Sequence, residues 1–153
     1  MIKIMFVCHG NICRSPMAEF VFDDMVKKRG LENDFIIASA ATSTEEIGNP
    51  VHRGTREKLK KHGISTEGKH AVQLTKSDYD KYDYILGMDS MNIRNIKRIV
   101  GNDNSGKVKR LLDFSNNPRD IADPWYTGNF DVTYDDIYEG CAGLLDFILK
   151  EKS

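Results

Sequence analysis

IKIMFVCHGNICRSPMAEFVFDDMVKKRG, residues 2–30, falls into three parts. Residues 2–7 are short, apolar and bounded by turn formers, which predicts a buried strand. Ser15 and Pro16 supply a cap and a proline for a first helical turn. Ala18, Val21, Phe22 and Met25 then recur at helical spacing, with Lys27 to Arg29 suited to a helix C-terminus and Gly30 to the stop. Between strand and helix lies a loop dense in reactive and turn-forming residues, Cys8 to Ser15.

The same alternation continues along the chain. DFIIAS (34–39) reads as a second strand, and Asn49 and Pro50 open a helix running to Gly63. YDYILGM (82–88) is a third strand. Asp89 or Ser90 caps the helix 91–100, which Gly101 stops. KVKRLL (107–112) is a weak fourth strand. Tyr134, Ile137, Tyr138, Cys141, Leu144, Leu145, Ile148 and Leu149 form one long apolar stripe, the signature of a final amphipathic helix. Strands alternating with helices predict an α/β fold: a single domain over 1–153, a central parallel four-stranded sheet and helices on both faces, Rossmann-like. Ligands in such sheets bind beyond the C-terminal strand ends, where the Cys8–Ser15 loop falls.

Composition narrows the function. The chain has 153 residues, a net charge of −1 and 29% charged residues with the signs mixed. That balance gives no basic face for nucleic acid. No run approaches the roughly 18 apolar residues of a membrane helix, and the N-terminus does not read as a signal peptide. Three cysteines, an odd count without scaffold density, point to a reduced, cytoplasmic protein. The four histidines, at 9, 52, 62 and 70, have no metal-ligand spacing, so no metal and no cofactor is expected. GISTEGKH (63–70) nearly spells a nucleotide-binding loop. His70 stands where that loop needs a hydroxyl, and the segment follows a helix rather than a strand.

Cys8 and Arg14 are separated by five residues. That spacing suits a ring of inward-pointing backbone N–H groups, an anion nest, at a helix N-terminus. His9, Gly10, Asn11, Ile12, Cys13, Arg14 and Ser15 would line it. Gly10 and Asn11 tolerate the backbone angles required. Arg14 would close over the ring and hold two oxygens. The positive field favours a thiolate at Cys8, a nucleophile facing a bound phosphate.

FVCHGNICRSPMAE resembles the signature loop of the low-molecular-weight protein tyrosine phosphatases, and the likeness extends over nearly the whole chain. SAATS (39–43), YDYILGMDSMNIRNI (82–96) and DPWY (123–126) resemble further family motifs in the same order. The resemblance implies a hydrolase that forms a cysteinyl-phosphate on Cys8, with Arg14 binding the phosphate and Asp123 as general acid and base. It implies that Asn11 holds the loop in shape through Ser39, and that Ser15 assists the sulfur. Cys13 would be a redox partner of Cys8. Cys141, on the apolar stripe, is a packing residue. Asp123 is singled out among 23 acidic residues by the resemblance alone, although Ile121, Ala122, Pro124 and Trp125 would partly desolvate it.

The pattern departs in places. Ala41 replaces a family glycine, Lys69 a histidine and Val72 an arginine, and whether His70 substitutes for that histidine is open. Ile47 and Asn49, with Trp125 and Tyr126, are expected at the substrate mouth. The expected partners are a phosphotyrosine-containing protein or a small phosphate monoester, with inorganic phosphate or a similar oxyanion in the site and the chain a monomer. Three alternatives stand beside this. A protein-arginine phosphatase is disfavoured by Ile12, where that subgroup has threonine. A thiol-dependent arsenate reductase lacks its further cysteines, since none lies between 13 and 141. A phosphate-binding module without turnover would not need Cys8, Arg14 and Asp123 together.

Overall fold

The computed structural model describes residues 1–152; Ser153, the last residue of the expected domain, lies outside them. Four strands, β1 (Ile2–Cys8), β2 (Phe35–Ala41), β3 (Tyr84–Gly87) and β4 (Val108–Arg110), pair in parallel in the order β2-β1-β3-β4. The order reverses at β1, so the loop after β1 opens at the switch point where parallel sheets bind ligands. The helices are α1 (Arg14–Lys28), α2 (Arg53–Lys60), α3 (Asp78–Lys81), α4 (Ser90–Val100), α5 (Pro124–Thr127) and α6 (Phe130–Lys152).

β1 is the central strand and is buried on both sides from Ile4 to Cys8. Ile4, Phe6 and Cys8 face a core shared with α1 and α6, including Phe22, Met17, Ile137 and Leu144. Met5 and Val7 face the opposite layer, with Ile96 and Val100 of α4. Strand alternation therefore fixes which side of the sheet Cys8 shares. Tyr134, Ile137, Cys141, Leu144, Leu145 and Ile148 of the expected stripe are all buried, whereas Tyr138 is exposed.

Strand β2 runs on to Ala41 past the expected end at 39, α2 stops at Lys60 short of Gly63, and four further boundaries differ from expectation. Helix α1 opens at Arg14 after Cys13, not at a Ser15 cap, and Ser15 makes no capping bond. Pro16 is harmless there because the first four helical N–H groups have no intrahelical partner. Helix α2 opens at Arg53 behind a His52 cap rather than at Asn49 and Pro50. Those two residues stay extended: Asn49 O accepts from Ala71 N at 2.9 Å, and Pro50 bridges to His70. Strand β3 is shorter than 82–88, since Tyr82 ends the unforeseen α3. Strand β4 stops at Arg110, and Leu111–Phe114 turn into a 3₁₀ segment. A strand would point Leu111 and Leu112 to opposite faces; the tighter turn buries both in the α1/α6 core. Gly30 and Gly101 end α1 and α4 as expected, with φ of 69° and 88°.

The 3₁₀ segment lies in a groove that α6 opens with two glycines. A Cβ at Gly140 would stand 2.6 Å from Leu111 Cγ, and one at Gly143 would collide with the Phe114 carbonyl. Gly→Ala in a helix interior ordinarily stabilises by about 1 kcal/mol. Here Gly143→Ala should instead destabilise by about 1–3 kcal/mol, because backbone is the obstacle. Urea unfolding of the two proteins checks it; a variant as stable as the parent would refute the close approach.

Candidate active site

Cys8 ends β1, and its sulfur sits where the following loop curls around it. Asn11 N–H and Ser15 N–H point at Sγ from 3.3 and 3.4 Å. Ser15 Oγ lies 3.0 Å from the same sulfur. That contact explains why Ser15 does not cap α1: its hydroxyl is committed to Cys8 and to Asn11, whose Nδ2 donates to it at 2.7 Å. The loop and the first turn of α1 thus aim donors at one atom, the arrangement that stabilises negative charge.

Arg14 is 3% exposed. Its Nη1 donates to Asp89 Oδ2 and to Ile121 O, both at 2.7 Å. Nη2 lies 3.5 Å from Asp123 Oδ2. Burial works against the guanidinium charge, but Cys8 and then Asp89 outweigh it and hold the arginine's pKa above its ordinary value. Asp89, one of the two cap candidates in the sequence, is the cap and does a second job: its Oδ1 accepts Asn92 N–H at 2.7 Å while Oδ2 holds Arg14. With Nη1 occupied, Nη2 and Nε remain to meet an oxyanion.

Asp123 caps α5, its Oδ1 accepting Trp125 N–H at 3.0 Å. Asp120, its neighbour in sequence, is elsewhere. It accepts from Ser90 N–H, Ser90 Oγ and Arg110 Nη1 at 3.0–3.1 Å. Partial burial opposes its ionisation, but Arg110 and Ser90 prevail and hold its carboxyl below the usual range.

Asn11 carries the one positive φ outside glycine among the described residues, 58°. Each side-chain group is used. Nδ2 donates to Ser15 Oγ and, at 2.9 Å, to Ser39 Oγ; Oδ1 accepts Val72 N–H at 3.1 Å. Ser39 Oγ donates onward to Glu19 Oε1 at 2.5 Å. Lys69 Nζ donates to Ser39 O at 2.9 Å and lies 3.6 Å from Glu19 Oε1. Lys69, not the exposed His70, therefore supports the loop from behind. Sequence reasoning missed Glu19 in this network; its position four residues after Ser15, on the same helical face, was the available signal.

Cys8, Arg14 and Asp123 border a cavity of about 120 Å³, lined also by His9, Gly10, Ile12, Cys13, Trp125, Tyr126, Glu45 and Glu46; Asn11 and Ser15 stand behind it. A family model described as low molecular weight phosphotyrosine protein phosphatase matches residues 3–153. The chain belongs to the low-molecular-weight protein-tyrosine-phosphatase family. It is 46% identical to the low molecular weight protein-tyrosine-phosphatase YfkJ of Bacillus subtilis, over 99% of each chain. The crystal structure of YfkJ superposes with a TM-score of 0.95, covering 100% of this chain and 98% of that one. The Staphylococcus aureus phosphatase PtpA is 40% identical, over 99% of this chain and 96% of its own. A drosophila arginine phosphatase, DARP, also superposes with a TM-score of 0.88 at 28% identity, covering 96% of this chain and 98% of its own.

Against the family pattern, the mouth needs correction. Trp125 and Tyr126 line the cavity, but Ile47 and Asn49 do not; Glu45 and Glu46 stand there instead. Asn49 turns its amide to Glu46 Oε2 at 2.6 Å, and His9 Nε2 lies 2.9 Å from Glu45 Oε2. The left-handed turn at Gly48, φ 88°, swings the chain away after Glu46. Periodicity is silent on such loop geometry.

Cys13 shares the cavity with Cys8, and both are free thiols. Burial foremost, then the charges of Cys8 and Asp123, push the Cys13 thiol up to about 12. Burial alone drives Cys141 up. Cys13 thus presents little thiolate at pH 8. Iodoacetamide at that pH should therefore label Cys8 and spare Cys13 and Cys141. Peptide mass mapping after partial inactivation reads this directly, and rapid labelling of Cys13 would overturn it.

Proposed function

We propose that the protein hydrolyses phosphotyrosine in proteins, and small aryl phosphates, through a cysteinyl-phosphate on Cys8. The observation that carries this is the sulfur itself, faced by Asn11 N–H, Ser15 N–H and Ser15 Oγ, with Arg14 and Asp123 bordering the same cavity. In the first step the Cys8 thiolate attacks phosphorus. The bond to the aryl oxygen breaks, and that oxygen takes the Asp123 proton as it leaves. In the second step water attacks the phosphocysteine and gives its proton to the Asp123 carboxylate. Cys8 departs as thiolate, helped by Ser15, and phosphate is released. Arg14 and the loop N–H groups meet the equatorial oxygens throughout, supplying the positive charge that other phosphoryl-transfer sites take from Mg²⁺.

A phenol ring fits the entrance better than a guanidinium. Ile12 gives the wall an apolar surface, and Trp125 and Tyr126 add aromatic faces for a planar ring. In this reading the chain works as a monomer in the cytoplasm, where Cys8 stays reduced. Cys13 serves as a redox partner only once Cys8 has itself been oxidised, since its own thiol is held protonated.

Two outcomes test the reaction. Hydrolysis of phosphotyrosine should exceed that of phosphoarginine and continue in EDTA; activity that vanishes with EDTA and returns with Mg²⁺ would refute a metal-independent route. A leaving-group series tests the acid. Asp123→Asn should slow kcat/KM for ordinary aryl phosphates by about 10²–10⁴-fold and a dinitrophenyl ester far less, because that oxygen leaves without a proton. It should also flatten the alkaline limb of the kcat/KM profile. Asp120→Asn, tied instead to Ser90 and Arg110, should do neither. Equal slowing of every ester by Asp123→Asn would remove it from the mechanism.

A further inference from the structure

Asp123 is anchored from its N-terminal side by backbone bonds. Ile121 N–H donates to Met88 O at 2.9 Å, and Thr133 Oγ1 donates to Ala122 O at 3.1 Å. On its C-terminal side the chain runs through Trp125, which is 56% exposed, before re-entering the fold at Phe130. Both aromatic rings meet one residue, His52. Its imidazole stacks on Phe130 with centroids 5.5 Å apart and planes 11° from parallel. Trp125 meets the same ring edge-on, also at 5.5 Å.

His52 is itself fixed in two ways. Its N–H donates to Ile12 O at 2.8 Å, which pins it to the phosphate loop. Its Nδ1 accepts Gly54 N–H at 3.0 Å, which sets the ring's rotation. Gly54 leaves the space that the Phe130 ring fills, since a Cβ there would collide with it. Phe130 in turn packs on the small cluster of Ile12, Cys13 and Ala71. Trp125 completes the chain of contacts, because its N–H is the donor to Asp123 Oδ1.

We infer that His52 is a positioning residue for the reaction: its ring is the platform that seats Trp125 and Phe130, and so holds Asp123 at a set place relative to Cys8. The inference rests on Asp123 being the general acid. A cap for α2 is the plainer role, and the two separate by substitution. Asparagine keeps a good capping acceptor but no ring. Phenylalanine keeps the ring but no acceptor.

The test compares kcat/KM for phenyl phosphate and 2,4-dinitrophenyl phosphate in both variants, with phosphate inhibition as a check on the loop. The ratio of the two esters cancels any change in phosphate binding. His52→Asn should lower the phenyl ester about 10–100-fold, as expected for a displaced catalytic group. The dinitrophenyl ester should stay within about 3-fold, since its departure needs no acid. His52→Phe should restore the parent ratio. Phe130→Leu, which removes the ring stacked on His52 and leaves the substrate wall intact, should reproduce the selective loss even if a His52 variant fails to fold. Equal slowing of both esters, an unchanged ratio in His52→Asn, or damage in His52→Phe alone would each overturn the inference. Asp123→Asn run in parallel tells the failures apart. If it shows the leaving-group dependence and His52→Asn does not, the platform alone is wrong; if it shows none, the acid assignment falls and the platform with it.

Discussion

The buried guanidinium of Arg14 is the constraint around which the site is arranged. A cation taken out of water persists only when paired and hydrogen-bonded. Its partners come from two other segments: Asp89, just past β3, and Ile121 O, two residues before Asp123. Both lie within reach because β1 and β3 are neighbours and parallel, so their C-terminal ends open on the same side. The strand order therefore has a chemical consequence. An antiparallel β3 would carry Asp89 to the far end and take it away from the arginine. The same pairing leaves one edge of the guanidinium facing the cavity, next to the sulfur.

Behind the loop, Asn11 acts as a strut. Its left-handed backbone carries a local cost for a residue with a Cβ, offset where the surroundings over-determine it. Here they do, since both amide donors and the carbonyl are engaged. The support continues through Ser39 and Glu19 to Lys69. Lys69 stands where the family resemblance expects a histidine. An ammonium on a long stem reaches the Ser39 carbonyl and the Glu19 carboxylate from one position. Burial pushes the Glu19 carboxyl up, with Ser39 and Lys69 opposing it.

Those parts of the fold governed by periodicity were legible in the sequence. Strand β1, the stops at Gly30 and Gly101, the Asp89 cap and the apolar stripe of α6 each follow from short-range pattern. Boundaries set by distant contacts were not. Ser15 and Pro16 make a sound local cap signal, yet Cys8 takes the serine hydroxyl. Asn49 and Pro50 resemble a helix start, yet residues 70 and 71 hold them extended. The site divides the same way. Cys8 and Arg14 lie in one contiguous loop, so their spacing and placement between strand and helix suggested a nest, while the roles of Asn11 and Ser15 came from the family likeness. Asp123 is remote in sequence and chemically ordinary among many carboxylates, so only the family likeness distinguished it. Glu45 and Glu46 replaced Ile47 and Asn49 at the mouth because a single left-handed glycine decides where that loop turns.

Floor and wall of the cavity differ in how firmly they are held, and this bears on selectivity. The floor is backbone N–H and Arg14, locked by a buried network. The wall is Ile12 on one side and the exposed Trp125 and Tyr126 on the other. The fold itself is shared with an arginine phosphatase. What separates a phenol from a guanidinium must act at the leaving atom: whether an apolar side chain or a hydroxyl lines the entrance, and whether the acid stands where that atom departs. Ile12 contributes to both. Its side chain lines the cavity, and its carbonyl accepts the N–H of His52, beneath the ring that meets Trp125. A change at this one loop position therefore reaches the entrance directly and Asp123 through the aromatic contacts.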